Sequence, residues 1–340
     1  MIVRMIQLTQ PKYFQNKFAS IDTQDKILVR PEYMALCHAD QRYYQGKRPQ
    51  KVLRQKLPMS LIHESIGRVV LDPTGSLKIN QLVAMIPNTP PKGYSYRKGE
   101  YENYVNGAKF RSSGFDGFMQ EIVAMDPELI IPFDDIDPKV AAITEFISVS
   151  VQAITRTSFL NSLGNDIYAI WGDGNLAYTT AVVLKTLYPN IHLTVLGKHA
   201  EKLAFFMMAD EKYLIDEIPE NFRFEHGFEC VGGEGSSSAI DAMINHALPQ
   251  ASITLMGVSE NPIPINTRDI LEKGITVLGS SRSGRKDFEM ALQILKNKKA
   301  LNQFKFILKY FGSVRSIDDI HQVFEFDIAN SFKTVFKWEA

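Results

Sequence analysis

The sequence predicts an α/β protein with two domains, a β-rich first domain and a second domain built on a doubly wound parallel sheet. Residues 1–150 contain short apolar runs rich in Val and Ile, such as KILVRPEYMAL and SIGRVVL, which Pro, Gly and Asn interrupt. This pattern is typical of strands and turns. From residue 151 onward, apolar strands alternate with segments of helical spacing, as in parallel sheets that helices cover on both faces. Residues 300–340 return to a helix followed by a strand, and we expect them to rejoin the first domain.

The second domain, at residues 151–299, is predicted from its individual elements. The pattern indicates a strand at 167–172, a helix at 175–188 and a strand at 191–197. AEKLAFFMMAD, at 200–210, has helical spacing. Four further apolar runs are expected to be strands: YLID, GFECVG, SITLMGV and ITVLGS.

The composition is that of an ordinary soluble globular chain, with 340 residues, 45% of them apolar and 22% charged. Lys and Arg together number 38, as do Asp and Glu, so no net basic field favours a nucleic acid partner. No secretory signal and no run of about 20 apolar residues is visible, and we therefore expect no membrane partner and a cytoplasmic location. The two cysteines, Cys37 and Cys230, lie far apart and form no disulfide framework. Cys230 is interpreted as a packing residue.

A glycine-rich turn, WGDGNLA, joins an apolar strand to a helix. Gly172 permits a tight turn, Gly174 lets the backbone approach a pyrophosphate, and Ala177 allows close helix packing. Asn175 and Leu176 open the helix, whose N-terminus favours an anion. Glycine turns are common, but this one lies inside a βαβ unit, which is the context that a dinucleotide site requires. We predict that these five residues bind a cofactor.

The end of the following strand indicates which dinucleotide binds. A site for NAD(H) usually has Asp or Glu there, about 20 residues after the glycines, on the ribose 2′-hydroxyl. Here Gly197 occupies that place and is followed by Lys198, His199 and Lys202. A small residue followed by cations suits a 2′-phosphate, so the sequence predicts NADPH. The alternative is that Lys198 and Lys202 are ordinary solvated helix residues.

Cys37 lies in ALCHADQ, and its residue type fits a buried apolar residue, a nucleophile, a redox thiol or a metal ligand. His63 and Glu64 in LIHESIG, and Glu145 in AITEFISVS, supply an imidazole and carboxylates in apolar settings. A thiolate, an imidazole and carboxylates suit Zn²⁺, and such a metal polarises the oxygen on a carbon that exchanges hydride with a nicotinamide. Each residue alone also has a structural interpretation, such as a core histidine or a carboxylate in the first turn of a helix.

These motifs resemble the zinc-dependent medium-chain dehydrogenase/reductase family, which contains alcohol and polyol dehydrogenases. The resemblance implies a GroES-like catalytic domain at 1–150, rejoined by 300–340, and a Rossmann NADP-binding domain at 151–299. It also implies an NADP-dependent oxidoreductase with one catalytic zinc. The motifs run in family order across almost the whole chain: LCHAD, HESIGRVV, QLVAMIPNTP, SSGFDGFMQEIV, TEFISVSVQA, WGDGNLA and FECVGG.

The resemblance assigns roles to individual residues of the first domain. Cys37 and His63 match zinc ligands, and Glu64 matches a carboxylate that can move onto the metal. Glu145 matches a ligand position that is Glu in polyol dehydrogenases. Asp40 matches the acid that orients the histidine ligand. The catalytic set implied in this way is Cys37, His63, Glu64 and Asp40.

The sequence also departs from the family pattern. No cysteine lies between residues 38 and 229, so the structural zinc that four cysteines hold in many members is not expected. Ala39 replaces the Ser or Thr that relays the proton in the family. A water molecule, His38 or Glu64 are the alternatives for that role.

The loop after Cys37, QRYYQGKRP, predicts the chemistry of the substrate. Arg42, Lys47 and Arg48 suit a phosphorylated or otherwise anionic substrate. The alternative is an ordinary solvated face, which is common for such runs.

Within the family, the sequence resembles members that reduce D-ribulose 5-phosphate to D-ribitol 5-phosphate with NADPH. That resemblance implies a supply of CDP-ribitol for teichoic acid or capsule, a homodimer, and association with a cytidylyltransferase. Two alternatives remain at this point: an NAD-linked polyol or alcohol dehydrogenase for an unphosphorylated substrate, and a dinucleotide-binding sensor without catalysis.

Overall fold

The computed structural model describes residues 1–157 and 166–340. They form two compact units. One consists of Met1–Ser148 and Arg282–Ala340, and the other of Val149–Ser281. No helix in the described ranges is both long and apolar enough to cross a membrane.

The strands of the described residues follow the chain in this order: β1 (Ile2–Gln10), β2 (Tyr13–Ser20), β3 (Ile27–Ala35), β4 (Glu64–Leu71), β5 (Leu82–Met85), β6 (Asn88–Thr89), β7 (Lys109–Phe110), β8 (Val123–Met125), β9 (Ile130–Pro132), β10 (Ile167–Trp171), β11 (His192–Gly197), β12 (Glu211–Leu214), β13 (Phe224–Glu229), β14 (Ala247–Leu255), β15 (Thr276–Gly279), β16 (Leu308–Val314) and β17 (Lys333–Trp338).

The α-helices of the same residues are α1 (His38–Tyr44), α2 (Gln50–Lys56), α3 (Pro138–Ala141), α4 (Thr144–Thr157), α5 (Asn175–Leu187), α6 (Ala200–Leu203), α7 (Ser236–His246), α8 (Thr267–Lys273), α9 (Arg285–Lys296), α10 (Lys298–Phe306) and α11 (Ile317–Ala329).

The main sheet of the first unit contains strands from both ends of the chain. Its order is β16-β17-β3-β4-β5-β9, and β8 also pairs with β3. Val335 of β17 lies opposite Ala35 of β3, and Ala35 also lies opposite Glu64 of β4, both pairs being antiparallel. This register brings the end of β3 and the starts of β4 and β17 to the same end of the sheet.

The sheet of the second unit is entirely parallel, in the order β12-β11-β10-β13-β14-β15. This is the doubly wound order, in which the chain reverses its direction of travel between β10 and β13. Every residue of β13 is buried, as expected for a strand covered on both faces. The predicted fold class, a β-rich domain plus a doubly wound parallel sheet, is confirmed.

Two details differ from the sequence prediction. The chain returns to the first unit at Arg282, before the predicted residue 300, because α9 and α10 both contact α3 of that unit. The helix predicted at 200–210 ends at Leu203. The following residues make turns and Asp210 N donates to Leu193 O at 2.8 Å, which ties the segment to β11 and prevents the helix from continuing.

Candidate active site

The end of β3 and the start of β4 carry the first candidate metal ligands. Cys37 lies at the N-cap of α1, shortly after β3, and Glu64 is the first residue of β4. One ligand atom from each of Cys37, His63 and Glu64 lies within 4.8 Å of the other two. His63 and Glu64 are buried and Cys37 is half-buried. We call these three residues the ligand group.

Asp40 is fully buried beside the ligand group. Its Oδ2 accepts a hydrogen bond from Cys37 N at 3.2 Å and lies 3.6 Å from His63 Nδ1. Its Oδ1 accepts hydrogen bonds from Ile62 N at 3.1 Å and from Ser112 Oγ at 2.7 Å. Asp40 therefore fixes the Cys37 turn and the segment that carries His63. Ser112 could not be predicted as a site residue from the sequence, because no local pattern links it to Asp40.

The His63 imidazole and the Asp40 carboxylate stabilise each other's charge. Burial acts to raise the pKa of Asp40, but the charge of His63 and hydrogen bonds from Ser112 and Ile62 lower it overall. Burial acts to lower the pKa of His63, but Asp40 and Cys37 raise it well above its ordinary value. A site this rich in buried charge is typical of a functional centre.

The ligand group fits a zinc ion. A thiol, an imidazole and a carboxylate are ligand types that zinc takes. Glu64 Oε2 and His63 Nδ1 are buried and have no hydrogen-bond partner among the residues that the structure describes. Buried polar atoms normally have a partner, and a cation would supply one to the Glu64 carboxylate.

Lys333, the first residue of β17, forms a buried ion pair with Glu64. Its Nζ also lies 4.3 Å from the centre of the Phe146 ring. Burial raises the pKa of Glu64 overall, although Lys333 and His63 act to lower it. Lys333 is not among the site residues predicted from the sequence. The available signal was the strand alternation, which places Lys333 on the same face as the buried Val335.

Glu145, the fourth predicted ligand, is the second residue of α4 and is buried. It is not part of the ligand group. Burial, the largest cause, raises the pKa of Glu145 to about 7, with His63 acting to lower it and Glu64 acting to raise it. The structure thus places Glu145 close enough for these charges to act on it, and its role as a ligand stays a prediction.

The segment predicted as a basic loop begins within helix α1, which contains Arg42, whereas Lys47 and Arg48 follow that helix. Burial lowers the pKa of His38, and the charges of Arg42, Lys47 and Arg48 lower it further. The guanidinium of Arg48 lies 4.9 Å from the centre of the Tyr43 ring. The three cations predicted for substrate phosphate therefore all act on His38, the residue that follows Cys37 in the chain.

Arg282 adds a further cation to this region of the first unit. Its backbone has a left-handed φ of 59°, and its guanidinium lies 4.8 Å from the centre of the Phe110 ring. Phe110 in turn packs against His63, with ring centres 5.3 Å apart. Arg282 is thereby held near the ligand group through an aromatic contact.

The glycine turn of the second unit has the shape of a phosphate cradle. Gly172 has a φ of +129°, and a Cβ there would lie 3.1 Å from the backbone of Cys230. A Cβ on Gly174 would meet only open space, which leaves the backbone accessible to a ligand at the start of α5. Asn175 and Leu176 form the first positions of that helix, and Ala177 is fully buried. The turn fits the pyrophosphate of a dinucleotide.

Asp173, between the two glycines, reaches the end of β11. Its Oδ2 accepts hydrogen bonds from Lys198 N at 2.7 Å and from His199 N at 2.9 Å. Gly197 leaves room for it, since a Cβ there would lie 2.7 Å from Asp173 Cβ. Lys198 is exposed and Lys202 half-buried. Asp173 is not among the residues predicted from the sequence, because an acid of a dinucleotide site is expected at the end of the second strand and not between the glycines.

The fold and the site together define the class of protein: an oxidoreductase of the alcohol dehydrogenase type, with a GroES-like domain and a dinucleotide-binding sheet. The model of the alcohol dehydrogenase GroES-like domain matches residues 23–135. The ribulose-5-phosphate reductase of Streptococcus pneumoniae is 49% identical over 341 residues, covering 100% of this chain and 98% of that relative. Ribulose-5-phosphate reductase 1 of Staphylococcus aureus is 43% identical and covers 99% of both chains.

A solved structure agrees with these relatives. The crystal structure of S. aureus TarJ in complex with NADPH has a TM-score of 0.87 and 41% sequence identity, and the match covers 99% of both chains. The chain therefore belongs to the zinc-type medium-chain dehydrogenase/reductase family, in the group that contains the curated ribulose-5-phosphate reductases.

Proposed function

We propose that this chain reduces D-ribulose 5-phosphate to D-ribitol 5-phosphate with NADPH and one zinc ion. The observation that carries the proposal is the 49% identity, over the full chain, to the ribulose-5-phosphate reductase of S. pneumoniae. The ligand group, which fits a metal ion, and the glycine turn, which fits a pyrophosphate, support the proposal.

In this proposal, Cys37 and His63 hold the metal, together with a buried carboxylate from Glu64 or Glu145. When bound, zinc supplies the Lewis acidity that polarises a ketone oxygen, and NADPH supplies the hydride. Asp40 keeps the His63 ring oriented and the Cys37 turn closed.

The alcohol product needs a proton as well as a hydride. Ala39 has no exchangeable side-chain proton. We propose three carriers for the proton: the His38 imidazole beside Cys37, the Glu64 carboxylate that Lys333 holds, or a solvent molecule.

Arg42, Lys47 and Arg48 bind the phosphate of the substrate in this proposal. Their charges act on the same imidazole, that of His38, so they form one positive region beside Cys37. A phosphate dianion accepts charge-assisted hydrogen bonds from such side chains.

The product would serve the synthesis of CDP-ribitol for wall teichoic acid or capsule. The proposal further includes a cytoplasmic location, a homodimer and association with a cytidylyltransferase. Co-purification of a tagged chain with a candidate cytidylyltransferase, followed by light scattering, tests the last two points.

A substrate and cofactor panel tests the proposed activity. Purified, zinc-loaded protein is mixed with ribulose 5-phosphate or ribulose, and with NADPH or NADH, and nucleotide oxidation is followed by absorbance. We expect rapid turnover only with ribulose 5-phosphate and NADPH. Comparable rates with ribulose would contradict the phosphate site, and preference for NADH would favour a polyol dehydrogenase. Nucleotide binding without zinc and without turnover of any sugar would favour a sensor.

A further inference from the structure

The turn after β11 contains an acid–histidine pair whose acid comes from the glycine turn. Asp173 Oδ2 lies 2.8 Å from His199 Nδ1, in addition to accepting hydrogen bonds from Lys198 N and His199 N. The Asp173 side chain is 12% exposed and that of His199 is 48% exposed. The half-exposed imidazole therefore lies directly against a largely buried carboxylate.

The Asp173 carboxylate lies where dinucleotide-binding domains usually have an acid from a different part of the chain. In an NAD(H) site, the acid at the end of the second strand binds the ribose 2′-hydroxyl. Here the second strand, β11, ends in Gly197, and a Cβ on Gly197 would lie 2.9 Å from Asp173 Oδ2. Asp173 thus places a carboxylate close to the point where that acid belongs, but from the neighbouring turn.

Asp173 keeps its charge in this setting. Burial acts to raise the pKa of Asp173, but hydrogen bonds from His199 and Lys198, together with the charge of His199, lower it overall. An uncovered carboxylate would repel a 2′-phosphate and would accept a hydrogen bond from a 2′-hydroxyl. The contact between His199 and the Asp173 carboxylate should therefore decide whether NADPH or NADH binds more tightly.

We propose that the Asp173–His199 pair determines the preference for NADPH over NADH. His199 shields the Asp173 carboxylate, so that the cations of Lys198 and Lys202 attract the 2′-phosphate. When the imidazole is removed, Asp173 acts as the acid of an NADH site. This inference rests on the use of NADPH in the proposed function and identifies the residues responsible for it.

Equilibrium binding tests the pair without any dependence on turnover. Dissociation constants for NADPH and NADH are measured by isothermal titration with the full chain, for the wild type, His199→Ala, Asp173→Asn and the double variant. We expect His199→Ala to weaken NADPH binding about tenfold, equivalent to about 1.4 kcal/mol, and to leave NADH binding equal or tighter. Adding Asp173→Asn to His199→Ala should restore NADPH binding to within about threefold of the wild type.

His192→Ala is the matched control. His192 opens β11 at the opposite end, is similarly exposed, and faces Glu211 at 3.5 Å, so we expect no change in either constant. Thermal melting of each variant checks that the second unit stays folded. If Asp173→Asn is unstable, His199→Asn, which keeps an N–H donor for Asp173 but no ring, should give an intermediate preference.

Three results would overturn the inference. The first is an equal loss of NADPH and NADH binding in His199→Ala, which would mean that the pair only supports the turn. The second is a double variant no better than His199→Ala, which would mean that carboxylate repulsion is absent. The third is a wild type with no preference for NADPH. A wild type that prefers NADPH in titration but does not reduce ribulose 5-phosphate would contradict the proposed activity. It would leave the role of the Asp173–His199 pair intact.

Discussion

Two regions carry charged side chains at strand ends, and they differ in how far those charges lie from water. At the end of β3 and the starts of β4 and β17, Asp40, Glu64 and Lys333 are almost completely buried. At the end of β11, Lys198 and His199 are exposed. Buried charges depend on each other, because removing one partner leaves the other uncompensated. Exposed charges are screened by solvent and adjust affinity in small steps.

The largest expected effect is on the metal itself. Cys37→Ser should lower kcat/KM on the order of 10³-fold, because it removes a soft ligand and with it the Lewis acid. Zinc content by mass spectrometry should fall in parallel. Cys230→Ala, which removes the other thiol of the chain, should retain zinc. Full zinc content in Cys37→Ser would refute the role of Cys37 as a ligand.

The buried ion pair should dominate stability. Lys333→Met should destabilise the metal-free protein by about 3–5 kcal/mol in urea unfolding, because Glu64 would be left charged and buried. Adding Glu64→Gln should recover most of this loss. Lys337→Met, on the same strand but half-exposed and paired with Glu339, should change little. Equal losses of stability in Lys333→Met and Lys337→Met would contradict the expected difference between buried and exposed charges.

Ser112 should act on metal affinity through Asp40. Ser112→Ala removes the hydrogen bond to Asp40 Oδ1 and should weaken zinc binding about tenfold, as measured by competition with a chromogenic chelator. Ser113→Ala is the control, because Ser113 hydrogen-bonds to Lys56 and not to Asp40. Unchanged zinc affinity in Ser112→Ala would show that Asp40 needs no such support.

Lys47 should behave as an exposed charge. Lys47 is exposed, and Lys47→Ala should raise KM for ribulose 5-phosphate about fivefold, the equivalent of about 1 kcal/mol. The effect should shrink at high salt, since exposed charges are screened. Lys51→Ala, also exposed but on α2, is the control. A KM that is insensitive to both Lys47 and salt would exclude this residue from the phosphate site.

The smallest expected effect is the loss, at low pH, of the stability that Asp173 contributes at the end of β11. The pKa of Asp173 is lowered in the folded chain, so its contribution to stability is present above its ordinary value of about 3.9 and is lost as the pH falls through the lowered one. The difference in melting temperature between the wild type and Asp173→Asn should therefore be constant near neutrality and narrow below about pH 4. A difference that grows in acid would contradict the lowered pKa.

Structural features that depend on a local pattern could be predicted from the sequence, whereas contacts between distant residues could not. The strands and the glycine turn follow from apolar periodicity and from glycine spacing within a few residues. Lys333 and Ser112 join the site from 269 and 72 positions away from their partners, and no local pattern encodes such a pairing. The predicted helix after Ala200 failed for the same reason, since its later turns are fixed by the contact of Asp210 with Leu193.

The placement of Lys333 in β17 has a consequence for biosynthesis. The ribosome makes Glu64 269 positions before its counterion, so a nascent chain carries that carboxylate without its ammonium partner until β17 has been made. Prematurely terminated products would lack the strand that neutralises it. Such a product would leave Glu64 without its counterion, and its first unit should be less stable than that of the full chain.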